Sequence, residues 1–255
     1  MNLQSLLSEL RRNILYDRSD RTEGDSDILW DDETLVRYID EAQRKLAREG
    51  LVIRDSKTAE VCRVTLATGQ AEYDLHSSVI AVVSAKYDTE VQDLKRAGHS
   101  LLAGFYRPTE DLFDINAVTT LNPGKPFAFS TDETVVADEN GSMGVVSMRV
   151  FPTPTAAENG KIVYLRVIRM PIERLSHKHL KVYPEVPEEH HLEMLSWAAS
   201  LALQVQDQDA GNSSQSDKFA AKFQVVVNTA RRNSMRKLFT PQRWGFGNAG
   251  WSWEH

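Results

Sequence analysis

LWDDETLVRYIDEAQRKLAREG, residues 29–50, is the stretch that determines how the helical part of this chain is built. Its apolar positions recur at i, i+3, i+4, i+7 and i+11, the spacing of one helix face, and they are Leu35, Tyr38, Ile39, Ala42 and Leu46. Asp31 or Asp32 can cap the N-terminus, where acidic side chains also suit the helix dipole. Gly50 stands where a left-handed C-cap is expected. The stretch therefore predicts one amphipathic helix with a defined start and end.

Helical periodicity returns at both ends of the chain. Residues 2–15 can form a first helix. Pro187 suits the first position of a later helix. The predicted apolar face of that helix is rich in small residues and consists of Leu192, Leu195, Ala199, Ala202 and Val205 or Gln206. A last helix, capped by Ser213 or Ser214, has an apolar stripe made of Phe219, Phe223, Val226, Val227 and Ala230. The two ends of the chain are therefore expected to form one helical domain.

The middle of the chain has the period of β-strands. Cys62, Val64 and Leu66 alternate with polar residues, which predicts a half-buried strand. Residues 138–142, DENGS, are a hairpin signal before the β-rich run 145–151. These patterns predict an antiparallel β module.

Together the two patterns predict an α+β protein, in which a helical bundle carries an inserted antiparallel β module and an extended C-terminal tail. The predicted boundaries assign residues 1–57 and 185–238 to a discontinuous helical domain. Residues 58–184 form the inserted β-rich domain, and residues 239–255 form the aromatic tail.

The sequence of the first long helix resembles that of a known protein family. Trp30-Asp31 followed by Tyr-Ile-x-Glu-Ala-Gln over residues 38–43 is similar to the first conserved helix of phage head-to-tail adaptor proteins, which include the tail tubular protein A of short-tailed phages. Further segments follow in the order of that family: EYDLHSSVI (72–80), MRVFPTP (148–154), VYLR (163–166), MP (170–171) and PEEHH (187–191).

The resemblance implies a structural, non-enzymatic virion protein at the head–tail interface, assembled in the host cytoplasm. It implies a ring, expected to be a dodecamer, between the portal protein and the tail nozzle protein. Genomic DNA would pass through the channel without sequence-specific binding. In such a ring a helix face of small residues allows close approach of subunits, and the candidate subunit-packing residues are Leu195, Ala199, Ala202, Phe219 and Phe223. The alternatives are another tail-nozzle or head-completion protein, or a phage-encoded hydrolase.

Residues 239–255 differ from everything before them, because large aromatic residues are interspersed with glycines. Burying four large aromatic side chains contributes roughly 15–25 kcal/mol, and ordering the segment costs about 1–2 kcal/mol per residue. The two quantities are comparable, so we expect the tail to order only in a preformed groove. The candidate portal-docking residues are Phe239, Arg243, Trp244, Phe246, Trp251 and Trp253.

Basic residues cluster near the end of the last helix, at Arg231, Arg232, Arg236, Lys237 and Arg243. Cations at a helix C-terminus complement the helix dipole, which is the simplest interpretation. The alternatives are contact with an acidic partner surface or with DNA passing nearby.

Composition and motifs argue against catalysis and metal binding. The net charge is −6, so the chain has no overall basic field for nucleic acid. Cys62 is the only cysteine, which excludes an internal disulfide and favours a small buried hydrophobe. His177 with His179, and His190 and His191 with Glu193, lack His-Glu-x-x-His spacing. We expect no cofactor, no metal, no signal peptide and no membrane span.

Overall fold

The computed structural model describes residues 1–17, 29–88, 90–96, 123–131, 134–135, 145–204 and 213–238. It is an α+β structure, as the sequence predicts. The α-helices are α1 (Leu3–Glu9), α2 (Asp32–Gly50), α3 (Ala59–Cys62), α4 (His191–Leu203) and α5 (Ser213–Leu238). A π-helical segment, Leu10–Leu15, continues α1, and a 3₁₀ turn, Glu188–His190, leads into α4.

Helix α2 begins where the sequence predicts and ends differently. Asp31 is the N-cap, and its Oδ2 accepts a hydrogen bond from the Thr34 N–H at 3.2 Å. The predicted left-handed cap at Gly50 is wrong, because Gly50 is the last helical residue and Leu51 takes the left-handed conformation with φ 54°. Gly50 lies at a close helix contact instead. A Cβ at this position would lie 3.3 Å from the Ala230 Cβ, so α5 crosses α2 closely here.

The strands form two sheets. Their bounds are β1 (Arg54–Asp55), β2 (Arg63–Thr65), β3 (Glu72–Asp74), β4 (Val79–Tyr87), β5 (Lys95–Arg96), β6 (Ala128–Ser130), β7 (Thr134–Val135), β8 (Val145–Phe151) and β9 (Ile162–Arg169). In the first sheet β9 pairs with β1, β2 and β4, and in the second β8 pairs with β3, β6 and β7. All these pairs are antiparallel. The exception to the predicted antiparallel module is β5, which pairs with β6 in parallel.

Two details of the β prediction can be compared with the structure, and a third lies outside the described residues. The pairing of β7 with β8 is antiparallel, with Val135 opposite Val145. The residues of the predicted turn, 138–142, lie outside the described part of the chain. Cys62 was expected in a strand, but it is the last residue of the short helix α3. Its side chain is buried as expected, because this helix packs against β9.

Two separate hydrophobic cores result. The first is built from the helices at both ends of the chain, and its fully buried residues include Leu6, Leu35, Ile39, Leu195 and Phe223. The second lies between the two sheets of the β part, and it includes Tyr73, Val82, Phe129, Met148 and Val163. Sequence segments far apart therefore share the helical core.

The segment after β9 packs on the helical core rather than on the sheets. Met170, Leu175 and Leu180 contact that core, and the Leu175 N–H donates to the Asp40 Oδ1 of α2 at 3.0 Å. The predicted boundary placed these residues in the β-rich part. The division into 1–57 with 185–238 and 58–184 remains a prediction.

Candidate interaction surfaces

Helices α4 and α5 hold most of the predicted subunit-packing residues inside the chain's own core. Four of the five, Leu195, Ala199, Ala202 and Phe223, are fully buried, and Phe219 is half-buried. The small residues allow α4 and α5 to approach closely, and the Ser216 hydroxyl donates to the Ser200 carbonyl at 2.9 Å. The subunit-packing role of these five residues remains a prediction. In this fold their contacts are intramolecular.

The predicted portal-docking residues cannot be placed. Phe239, Arg243, Trp244, Phe246, Trp251 and Trp253 all lie outside the described residues. Their docking role remains a prediction.

From Lys218 to Lys237 the exposed face of α5 is basic, and the one carboxylate of the helix, Asp217, precedes this stretch. Residues 218–237 include no Asp or Glu. One exposed stripe recurs at alternating intervals of four and three residues, the spacing of a single helix face, and consists of Lys218, Lys222, Val225, Thr229, Arg232 and Arg236. Arg231 and Met235 are exposed beside it. Among the described residues, none of these cations is in an ion pair, so the face is free to meet an acidic partner.

An acidic surface lies where α4 begins. Glu189, Leu192 and Glu193 stand at i, i+3 and i+4 and are exposed, with Glu188 beside them. The sequence predicted Leu192 on the buried face, but this prediction is wrong, because 52% of Leu192 is exposed in the first turn of α4. Sequence analysis missed this surface, although the run Glu188-Glu189 followed by Glu193 was its signal.

The His190 side chain contacts two carboxylates of the acidic surface. The His190 Nδ1 lies 2.7 Å from Glu193 Oε2, and its Nε2 lies 3.6 Å from Glu189 Oε1. Glu188 Oε1 lies 3.0 Å from the Met1 amino nitrogen. These contacts fix the side chains without burying them, since all three carboxylates stay exposed.

The basic and acidic surfaces meet at one end of the helical core. A cleft of about 520 Å³ lies between them, and it is lined by Arg54, Glu185, Glu189, His190, Arg236 and Lys237 among others. The cleft arises because α4 and α5 run antiparallel, which brings the start of one beside the end of the other. This end of the molecule therefore carries both signs of charge next to exposed apolar side chains.

Comparison with protein families identifies the family of this chain. The family model described as SU10 adaptor protein matches residues 1–245. The chain belongs to the SU10 adaptor protein family. The match confirms the resemblance to phage head-to-tail adaptors, and it makes the chain a structural phage adaptor protein and a virion component. No curated protein matches the chain.

The adaptor's helical core and its β part are joined by a buried ion cluster. The Arg169 Nε donates to Asp55 Oδ2 at 2.7 Å, and its Nη1 donates to Glu185 Oε2 and to the Met170 carbonyl. Burial alone would raise the pKa of Asp55. Hydrogen bonds from Thr58, Lys57 and Arg169 outweigh that effect and hold its pKa well below the ordinary range. The cluster connects β9 to the segments on either side of the β part.

The described part of the adaptor places the predicted histidine pair, His191 and the cysteine in different surroundings. His177 and His179 lie in a loop that packs beside α1, and His191 is buried with its Nε2 2.9 Å from the Val186 carbonyl. Burial lowers the pKa of His191, and burial with the nearby Asp55 raises the pKa of Cys62 to about 11. Within the described residues no group of three or more His, Cys, Asp or Glu could hold a metal ion.

The described helices of the adaptor include no candidate membrane span. None of them is both long enough and apolar enough to cross a membrane.

Proposed function

We propose that this adaptor forms a ring between the portal protein and the tail nozzle protein, and that genomic DNA passes through the channel of that ring. The observation that carries the proposal is the family match over residues 1–245, which includes both the helical core and the β part. Ring closure from identical subunits needs two different surfaces on each subunit, which contact head to tail. The basic and acidic surfaces at the end of the helical core supply two such surfaces.

The test of the proposal is assembly on purified portal. Portal alone and portal with adaptor would be imaged in negative stain and compared as averaged side and end views. We expect an additional ring, coaxial with the portal and open at its centre, only when adaptor is present. Nozzle protein added afterwards should bind to the face of the ring away from the portal. Adaptor that adds no density to the portal, but binds nozzle protein alone, would instead support the tail-nozzle alternative.

We further propose that the tail, residues 239–255, docks on the portal through its aromatic residues and Arg243. The support is its position after Lys237, at the end of α5, and the near balance between aromatic burial and ordering cost. A groove already present on the portal would shift that balance, and buried aromatic anchors cost about 2 kcal/mol or more each when truncated.

A deletion after Lys237 tests the docking proposal. The apolar stripe of α5 lies before the deletion, so circular dichroism should show unchanged helix content. Co-sedimentation with portal should be lost. The matched control replaces Trp244, Trp251 and Trp253 by Leu, which keeps the length and apolar character of the tail but removes its large rings. A folded deletion variant that sediments with portal as the full chain does would refute the docking role.

A further inference from the structure

We infer that adjacent copies of the adaptor contact each other through the basic face of α5 on one copy and the acidic surface at the start of α4 on the next. The basic face is the stripe of Lys218, Lys222, Val225, Thr229, Arg232 and Arg236 with Arg231 and Met235 beside it. The acidic surface consists of Glu188, Glu189, Leu192 and Glu193. The inference rests on the proposed ring, and it identifies which surfaces of each subunit meet.

Charge is the first argument. Helix α5 carries six cations and one carboxylate, although the chain as a whole has a net charge of −6. Cations in the last turn of a helix complement its dipole, but Lys218 and Lys222 stand in the first half of α5, where the dipole gives no such benefit. A basic face that extends over about 27 Å at 1.5 Å per residue therefore needs another explanation. An acidic surface on a neighbouring copy supplies the complementary charge.

Exposed apolar side chains are the second argument, and they favour a protein over DNA. Val225 is 66% exposed in the middle of the cations, and Leu192 is 52% exposed among the carboxylates. Phosphate contacts need donors rather than methyl groups, whereas protein interfaces combine Arg and Met with apolar anchors.

Position is the third argument. Subunits that stand side by side in a ring can only join surfaces that lie at the same height. The cleft lined by Glu189, His190, Arg236 and Lys237 shows that the acidic surface and the end of the basic face are at one end of the helical core. The contact is heterologous, since one surface is basic and the other acidic, and heterologous contacts generate a ring when the rotation between neighbouring subunits closes.

Cysteine cross-linking tests this contact directly. Cys62 is the only native cysteine and is buried, so only the introduced cysteines should react with the cross-linker. The two reporters are Leu192→Cys and Met235→Cys, and Val91→Cys, 91% exposed in the β part, is the control. A mixture of the two reporter proteins with a short bis-maleimide at low ionic strength should give mixed dimers. Each reporter alone, or Met235→Cys with the control, should cross-link at least about tenfold more slowly.

Neutralising variants supply the second arm. Glutamine at Arg231, Arg232 and Arg236 in one reporter should slow mixed cross-linking about tenfold, because rim charges steer association. Glutamine at Lys57, Lys95 and Arg166 changes charge equally on the exposed β part, and should have no such effect. Added salt should reduce the difference between the two variants, since it screens exposed charges.

The outcomes separate the possibilities. Faster cross-linking of Met235→Cys with itself would indicate a symmetric contact and overturn the inference. Equal rates for all pairs would also overturn it. The Arg-to-Gln variant could bind less duplex DNA than the native adaptor while its cross-linking is unchanged. That result would overturn the inference and assign the basic face to DNA. If the native adaptor and the Arg-to-Gln variant form rings on portal equally well, this contact is refuted. The proposed function is unaffected by that result.

Discussion

Arg169→Met should destabilise the adaptor more than any exposed charge substitution. Arg169 is 11% exposed and Asp55 9% exposed, so the substitution leaves a carboxylate buried without its cation. Breaking a buried ion pair by removing one partner costs about 3–5 kcal/mol. Asp55 keeps hydrogen bonds from the Lys57 and Thr58 backbone and from the Thr58 hydroxyl. We therefore expect a loss of about 2–3 kcal/mol in the free energy of unfolding.

Urea unfolding followed by circular dichroism at 222 nm measures this loss. The matched control is Arg166→Met, three residues earlier in the same strand, whose side chain is exposed. It should cost less than about 0.5 kcal/mol, as exposed substitutions usually do. An equal loss in the two variants would refute the argument, because burial would then not distinguish them.

The pH dependence of this difference has a definite sign. The pKa of Asp55 is lower in the folded protein than in the unfolded chain, so its contribution is fully present above the unfolded pKa, about 3.9. That contribution is lost as the pH falls through the folded pKa. In Arg169→Met the pKa of Asp55 should rise toward its ordinary value. The stability difference between native protein and variant should therefore be constant near pH 7 and shrink below about pH 4.

Three further predictions concern single side chains. Asp31→Ala removes the N-cap of α2 and should cost about 0.5–2 kcal/mol of unfolding free energy, whereas the cap-competent Asp31→Ser should cost less than half of that. Burial lowers the pKa of His191 below 6.5, so as the pH falls the imidazole is protonated in the unfolded chain before it is protonated in the folded protein. The free energy of unfolding should therefore fall as the pH drops below about 6.5, and it should fall less in His191→Gln. Cys62 should react with a thiol reagent only after unfolding, since its thiol is buried and its pKa is about 11; reaction in native buffer at the rate of a free thiol would contradict this.

The sequence alone determined the features that depend on neighbours a few residues away. The start of α2, its cap at Asp31 and its stripe of Leu35, Ile39 and Leu46 follow from hydrogen bonds and contacts three or four residues apart. The family was also accessible from sequence, because its members share short segments in a fixed order. The structure and the family match confirm these features.

Only the tertiary structure decided which buried faces are internal and which surfaces are free. The periodicity of Leu195 and Ala199 shows that they are buried, but it does not show whether α5 of the same chain or another subunit covers them. Gly50 fits a helix end by sequence, yet in the structure a Cβ at this position would lie 3.3 Å from the Cβ of Ala230, 180 residues away along the chain. Asp55, Arg169 and Glu185 meet for the same reason. Such contacts depend on how distant segments cross in space, and local periodicity carries no information about that crossing.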